Sequence, residues 1–252
     1  MTTFSSLSPS RPVAANVSTI CAHLRANGSA EHAEGVQWFF KEEIRSHGWY
    51  TAPLRAYARV VHRALAADPA ALLDAAEALF ASPVLEEKVL AVTMLQPSLR
   101  HFGGAELRRF AGWLAHVSSW ADHDALAMCL IGPLIATDPR RARRVFAWAR
   151  SRSRWHRRAA AVALIHGVRR GAFTAEATRI ARALAGDEDD MVQKGLGWLL
   201  REWGKARPQE TEPLLLAMRG RTSRLVLRTA CERLPPAARA RVLGQAPTTS
   251  SS

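Results

Sequence analysis

Apolar residues recur at helical spacing along nearly the whole chain, and nowhere do β-branched residues alternate as they would in a strand. The pattern predicts helices opening near Val13, Ala30, Ala52, Pro69, Val84, Gly104, Ala121, Arg140, Arg154, Thr174, Asp189, Gln209 and Ser223. The breaks between them are short and carry residues that stop one helix or cap the next: Ala26-Asn27-Gly28, Asp68-Pro69, Asp138-Pro139, Arg170-Gly171, Gly186-Asp187 and Leu234-Pro235-Pro236. Residues 1–12 and 246–252 are rich in Ser, Thr and Pro and are expected to be disordered, which leaves 13–245 as a single helical domain.

From about Val84 the helices pair with a loose period of roughly 35 residues, within the range of helical repeats. HEAT-like pairs of this kind stack into an α-solenoid whose concave side is an extended binding surface. The expected fold is therefore all-α, a HEAT-like helical-repeat α-solenoid, with an irregular helical bundle as the alternative.

The clearest amphipathic stretch is Met191–Lys205, MVQKGLGWLLREWGK. Val192, Leu196, Leu199 and Trp203 form an apolar stripe, while Lys194, Trp198, Arg201 and Lys205 share the opposite face. An aromatic ring among cations suits a surface that meets a phosphate backbone and stacks on something flat. On pattern alone the favoured reading is a tryptophan packed on a neighbouring helix amid solvated charges.

Charge sharpens this picture. The 252 residues include 35 Lys and Arg against 22 Asp and Glu, a formal +13, which implies an anionic partner, nucleic acid first. Arginine is densest between Pro139 and Arg182, a window whose only acid is Glu176, and that window reads as the electrostatic footprint of a nucleic-acid backbone. The cysteines Cys21, Cys129 and Cys231 lack paired spacing, which argues against a disulfide framework or a zinc site and fits a reducing cytoplasm. No segment has signal-peptide character or the apolar length of a membrane span.

Two further segments carry candidate chemistry. In Ser119–Ile135, Trp120, Asp124, Ala127, Met128, Ile131 and Ile135 fall on one side of a helical wheel, which puts an acid on the apolar stripe beside a tryptophan. Asp122 reads as a helix-start acid, with Ser118 or Ser119 as the cap. The run Asp122-His123-Asp124 does not read as a metal site, because adjacent helical residues point in different directions. In Arg154–Gly171 the middle is apolar all round, so the segment should be buried, and the arginines in its first turn need a nearby anion, either a protein carboxylate or a phosphate. No glycine-rich phosphate loop, Ser/His/Asp set, HExxH or paired-Cys motif is present.

Three places together resemble one family, the AlkD-type DNA alkylation repair glycosylases: GWLLREWGKARP at 197–208 preceded by Gln193-Lys194, SWADHD at 119–124, and WHRRAA at 155–160. The resemblance runs in weaker form from about Ala30 to Leu243. It implies a HEAT-like α-solenoid with a concave basic DNA-binding groove. It also implies excision of cationic alkylpurines, N3-alkyladenine and N7-alkylguanine, by hydrolysis of the N-glycosidic bond without metal or other cofactor. By position, Asp124 matches the family's catalytic aspartate, and Trp120 and Trp198 match the two tryptophans that contact the lesion nucleotide. Arg158, with Arg157 beside it, matches the arginine that holds the backbone. The family's N-terminal tyrosine aligns with Phe39, next to Trp38. Lys194, Arg201 and Lys205 would complete the DNA-binding face.

The expected partner is double-stranded DNA containing alkylated purines, met by a monomer in the cytoplasm or on the nucleoid and not by a membrane protein. A non-catalytic HEAT-like nucleic-acid scaffold and a protein-binding solenoid are the competing readings.

Overall fold

The computed structural model describes residues 6–244. All regular structure among them is helical, apart from one isolated parallel bridge between Arg45 and Val84. None of these helices is long and apolar enough to cross a membrane. The described residues form two compact units, divided after Leu130.

The first unit contains α1 (Val13–Ala26), α2 (Ala30–Gln37), α3 (Thr51–Leu65), α4 (Pro69–Phe80), α5 (Leu85–Leu95), α6 (Gly104–Trp113) and α7 (Trp120–Leu126). Their starts fall within a residue of those the apolar pattern predicts, because caps and periodicity agree. Asp68, for example, accepts hydrogen bonds from the Ala70 and Ala71 amides at 3.0 and 3.1 Å, with Pro69 opening α4. The core is the meeting of α3, α4 and α5, through Val61 and Leu65, Leu72 and Leu79, and Leu90 and Met94.

One connection in this unit is not short. Between α2 and α3 runs a non-helical segment, residues 38–50, organised by a carboxylate far away in sequence. Buried Glu86 of α5 accepts from the Ser46 hydroxyl (2.6 Å) and from the amides of His47, Gly48 and Trp49 (2.8, 3.0 and 3.2 Å). The Gln37 side chain closes the near end, donating to the Glu42 carbonyl and accepting from the Ile44 amide.

Of the ends expected to be disordered, residues 1–5 and 246–252 lie outside the described residues. Residues 6–12, which precede α1, are tied to it: buried Asn16 accepts from the Ser8 amide and donates to its carbonyl, and Leu7 is buried.

The second unit contains α8 (Gly132–Thr137), a 3-10 turn over Pro139–Arg144, α9 (Val145–Trp148), α10 (Arg154–Val162), α11 (Ile165–Val168), α12 (Thr174–Leu184), α13 (Asp190–Ala206), α14 (Pro208–Met218), α15 (Arg224–Ala230) and α16 (Pro236–Leu243). The segment expected from Arg154 is two helices, broken at Ala163-Leu164, though its middle is buried as its composition predicts. The final helix, after Pro235-Pro236, has no counterpart in the sequence pattern. The centre is α13, which packs against α10, α12, α14 and α15. Asp189 caps it, accepting from the Met191 and Val192 amides at 2.9 and 3.2 Å. Two glycines permit the close approach of its neighbours. A Cβ at Gly195 would stand 2.9 Å from Arg158 Cγ, and one at Gly197 would stand 2.8 Å from Thr229 Cβ.

All three cysteines are free thiols. Burial pushes Cys21 up to about 12, with the neighbouring Glu87 carboxylate adding to the shift; burial pushes Cys231 up to about 11 and raises Cys129 as well. The thiolate is the reacting species, so at about pH 8 the native protein should react with an aromatic disulfide at least about tenfold more slowly than the unfolded chain. Three thiols should titrate after denaturation. Fast reaction of the native protein would contradict the burial.

Candidate functional site

The first unit presents its candidate chemistry on α7. Ser119 and Asp122 form a capping box at its start. The fully buried Asp122 carboxylate accepts from the Ser118 amide (2.9 Å) and hydroxyl (3.1 Å), and from the Ser119 amide (2.7 Å) and hydroxyl (2.6 Å). Behind it lies Lys88 of α5, also buried, whose ammonium is 3.3 Å from Asp122 Oδ2, donates to the His116 carbonyl, and sits over the Phe80 ring. The start of α7 is thus held by an ion pair taken out of water.

The sequence places Trp120, Asp124, Ala127, Met128, Ile131 and Ile135 on one apolar stripe; Ala127, Ile131 and Ile135 are buried as it expects, and the structure corrects the other three. Ser119, Asp122, His123, Leu126, Ala127, Leu130 and Ile131 are buried, whereas Trp120 is exposed and Asp124 and Met128 are half-buried. The wheel fails because Ala127–Ile131 winds as a π-helix. Such a turn holds more residues than an α-turn, so apolar positions beyond it rotate away from those before it. The buried acid of α7 is Asp122, and it acts as a cap; Asp124 stands at the edge of the surface with 19% of its side chain exposed.

That edge is well defined. His123 is fully buried, and its Nδ1 lies 2.7 Å from Asp124 Oδ1. One turn earlier, the Trp120 ring stacks on Phe40 (centroids 5.0 Å apart, planes at 20°) and its indole N–H donates to the Phe39 carbonyl at 3.4 Å. Trp38 and Phe39 stand out from the same segment, 91% and 74% exposed. Trp38, Phe39, Trp120 and Asp124, read separately in the sequence, therefore belong to one neighbourhood of the first unit. Phe40 and His123 complete it. Phe40 is eighty residues from Trp120, and no periodicity signals their stacking.

The second unit carries the remaining candidates. The two faces of α13 are as its spacing predicts: Val192, Leu196, Leu199 and Trp203 are buried, Lys194 and Lys205 are exposed, and Trp198 and Arg201 are half-buried. Glu202 organises the middle of the polar face. It accepts from Arg169 (2.8 Å), from the Trp198 indole (3.3 Å) and from Arg201 (3.4 Å). Burial alone would raise its pKa, but the hydrogen bonds and charges of Arg169 and Arg201, together with the Trp198 bond, hold this carboxyl below its usual range. Glu202 lies four residues after Trp198, the one signal by which the pairing could have been read. Arg201 also reaches Glu232 at 3.0 Å, and Lys194 pairs loosely with Asp190 at 3.4 Å.

Two of the arginines of α10 meet anions within the protein. Arg157 forks onto Asp187 at 2.6 and 3.3 Å and donates to the Ser151 and Arg152 carbonyls. Arg154 lies 3.8 Å from Asp189. Arg158 is buried beneath α13 and donates to the Met191 carbonyl at 2.5 Å.

The arginine window is likewise partly neutralised by acids outside it, Asp138 for Arg140 and Arg141 and Glu202 for Arg169. Arg143, Arg144, Arg150, Arg152, Arg170 and Arg182 remain exposed, with no ion pair to any described residue. Arg179 lies over the Phe146 ring at 4.0 Å.

The chain is similar to known proteins in two ways. A family model described as DNA alkylation repair enzyme matches residues 20–234. Among solved structures, one described as a predicted DNA alkylation repair enzyme from Enterococcus faecalis superposes with a TM-score of 0.75 at 20% identity, covering 82% of this chain and 96% of that one. At that identity the likeness speaks to the fold. None of the curated proteins matches the chain.

Proposed function

The chain belongs to the DNA alkylation repair enzyme family, and from that premise we propose that it is a DNA glycosylase that releases cationic alkylated purines from duplex DNA. Its substrates on this reading are N3-alkyladenine and N7-alkylguanine, with bulky adducts also accepted. The observation that carries the reading is the placement of Asp124: a carboxylate at the edge of the surface, its Oδ1 against His123, one turn from an exposed tryptophan.

An alkylated purine is already cationic and leaves easily, so the enzyme needs no strong general acid. What must be stabilised is the oxocarbenium-like sugar left behind, and a negative charge aimed at it does so. Asp124 supplies that charge and guides water to the sugar. Trp120, kept in place by Phe40, offers a ring face to the same cation, worth about 1–2 kcal/mol once desolvated. Trp198 is the second aromatic contact to the damaged nucleotide, with its indole N–H fixed by Glu202. Trp38 and Phe39 meet the DNA from the segment that carries Phe40.

Phosphates are met by Lys194, Arg201 and Lys205 on α13 and by the exposed arginines of the second unit, in a HEAT-like array that grips the duplex as a monomer. Arg157 and Arg158, engaged with Asp187 and the first turn of α13, support that surface from beneath. No cofactor enters the reaction.

Incubation with methylated duplex and with duplex carrying a bulky cationic adduct, followed by measurement of free base, tests the proposal directly. Release from both is expected, with duplex affinity falling about a thousandfold between 50 and 200 mM salt if some six phosphates are neutralised. Tight, salt-sensitive binding without base release would replace the glycosylase with a scaffold. Weak binding indifferent to salt would remove DNA altogether.

A further inference from the structure

His123 precedes Asp124 on α7, and consecutive residues of a helix project about 100° apart, so contact between their side chains is not the default. Here the ring lies wholly in the core, on the face shared with Asp122 and Leu126, yet its Nδ1 edge reaches Asp124 Oδ1 at 2.7 Å. That is the length of a charge-assisted hydrogen bond. The ring is also carried by a rigid support. Asp122, one residue earlier, is closed into the capping box with Ser118 and Ser119 and paired with Lys88 of α5.

We propose that His123 is a positioning residue for Asp124: its Nδ1–H donates to Oδ1 and sets the rotation of the carboxylate from inside the protein. An ionised carboxylate only accepts, so the shared proton belongs to the ring, and Nδ1 is the protonated nitrogen. The terminal torsion of an aspartate is otherwise broad, and a charge that must face a transient cation acts best when its direction is set beforehand. Being fully buried, His123 touches no substrate and acts on the reaction through Asp124. The inference rests on the glycosylase reading of Asp124.

The test compares wild type with His123→Asn and His123→Leu. Asparagine and leucine are close in shape, but only asparagine places an N–H where Nδ1 stands. In single-turnover release of N7-methylguanine from methylated duplex, His123→Leu should fall at least about tenfold while His123→Asn stays within about threefold of wild type. Duplex affinity should change less than about twofold in both, since the ring does not face DNA. Equal rates for the two variants, with wild type active, would overturn the role of His123 alone. A wild-type protein that releases no base would overturn the glycosylase reading itself, and this inference with it.

Should both variants fold poorly, nitrogen NMR of the histidines decides the matter on wild type and Asp124→Asn. A protonated Nδ1 whose proton resonance moves on Asp124→Asn is expected. An unprotonated Nδ1 at neutral pH would overturn the proposal.

Discussion

Asp124→Asn is expected to cut release of N7-methylguanine by about a hundredfold or more while leaving duplex affinity within about twofold. A unit charge about 4 Å from a developing cation is worth on the order of 4 kcal/mol at an effective dielectric of 20. At about 1.4 kcal/mol per factor of ten, complete loss of that charge would cost about a thousandfold. Asparagine keeps the shape and a carbonyl dipole, and Asp124 stands partly in solvent, so the realised effect falls short of that bound. Binding should survive because phosphate contacts come from cations elsewhere, and a carboxylate next to DNA repels the backbone if it does anything. Single-turnover assay of free base beside a binding isotherm separates the two quantities. Undiminished release by the asparagine variant would remove Asp124 from the chemistry.

The second large effect concerns stability. Lys88→Met should cost about 3–5 kcal/mol of unfolding free energy, because it leaves the Asp122 charge buried without its counter-ion. Lys88 and Asp122 side chains are 3% and 0% exposed, so water cannot take over from the ammonium. The hydroxyls and amides of Ser118 and Ser119 continue to solvate the carboxylate, which keeps the loss within that range. The His116 carbonyl loses its donor at the same time. Adding Asp122→Asn should recover part of the loss, since the buried charge is then gone, while one serine amide loses its acceptor to the new NH2 group. Denaturant unfolding at neutral pH measures all three proteins. A single variant as stable as wild type would show that the pair contributes nothing. Because α7 also carries Trp120 and Asp124, base release by Lys88→Met should fall with the folded fraction.

Much of the architecture was legible because helix formation is local. Starts from Val13 to Ser223 could be placed from caps and breaks, and on α13 the repeat alone separated Val192, Leu196, Leu199 and Trp203 from Lys194, Trp198, Arg201 and Lys205. An unbroken α-helix carries its faces in its own spacing. The candidate residues Trp120, Asp124 and Trp198 came from motif resemblance and the placement of unlike residues, not from any visible geometry.

What stayed hidden depended on groups distant in the chain. Spacing put Asp124 on an apolar stripe, but one π turn changes the register, and the buried acid is Asp122, paired with a lysine on another helix. The arginine window appeared almost unopposed, yet Arg157 is neutralised by Asp187 and Arg169 by Glu202. The segment 38–50 lay hidden in an expected run of helices with short breaks, and Glu86, distant in sequence, gathers its amides into a non-helical connection. Periodicity along one helix determines which side faces inward, and the sequence alone carried that. Which charges are cancelled, and which side chain holds Trp120 or Asp124 in place, follows from distances between chain segments, and only the tertiary structure decides those.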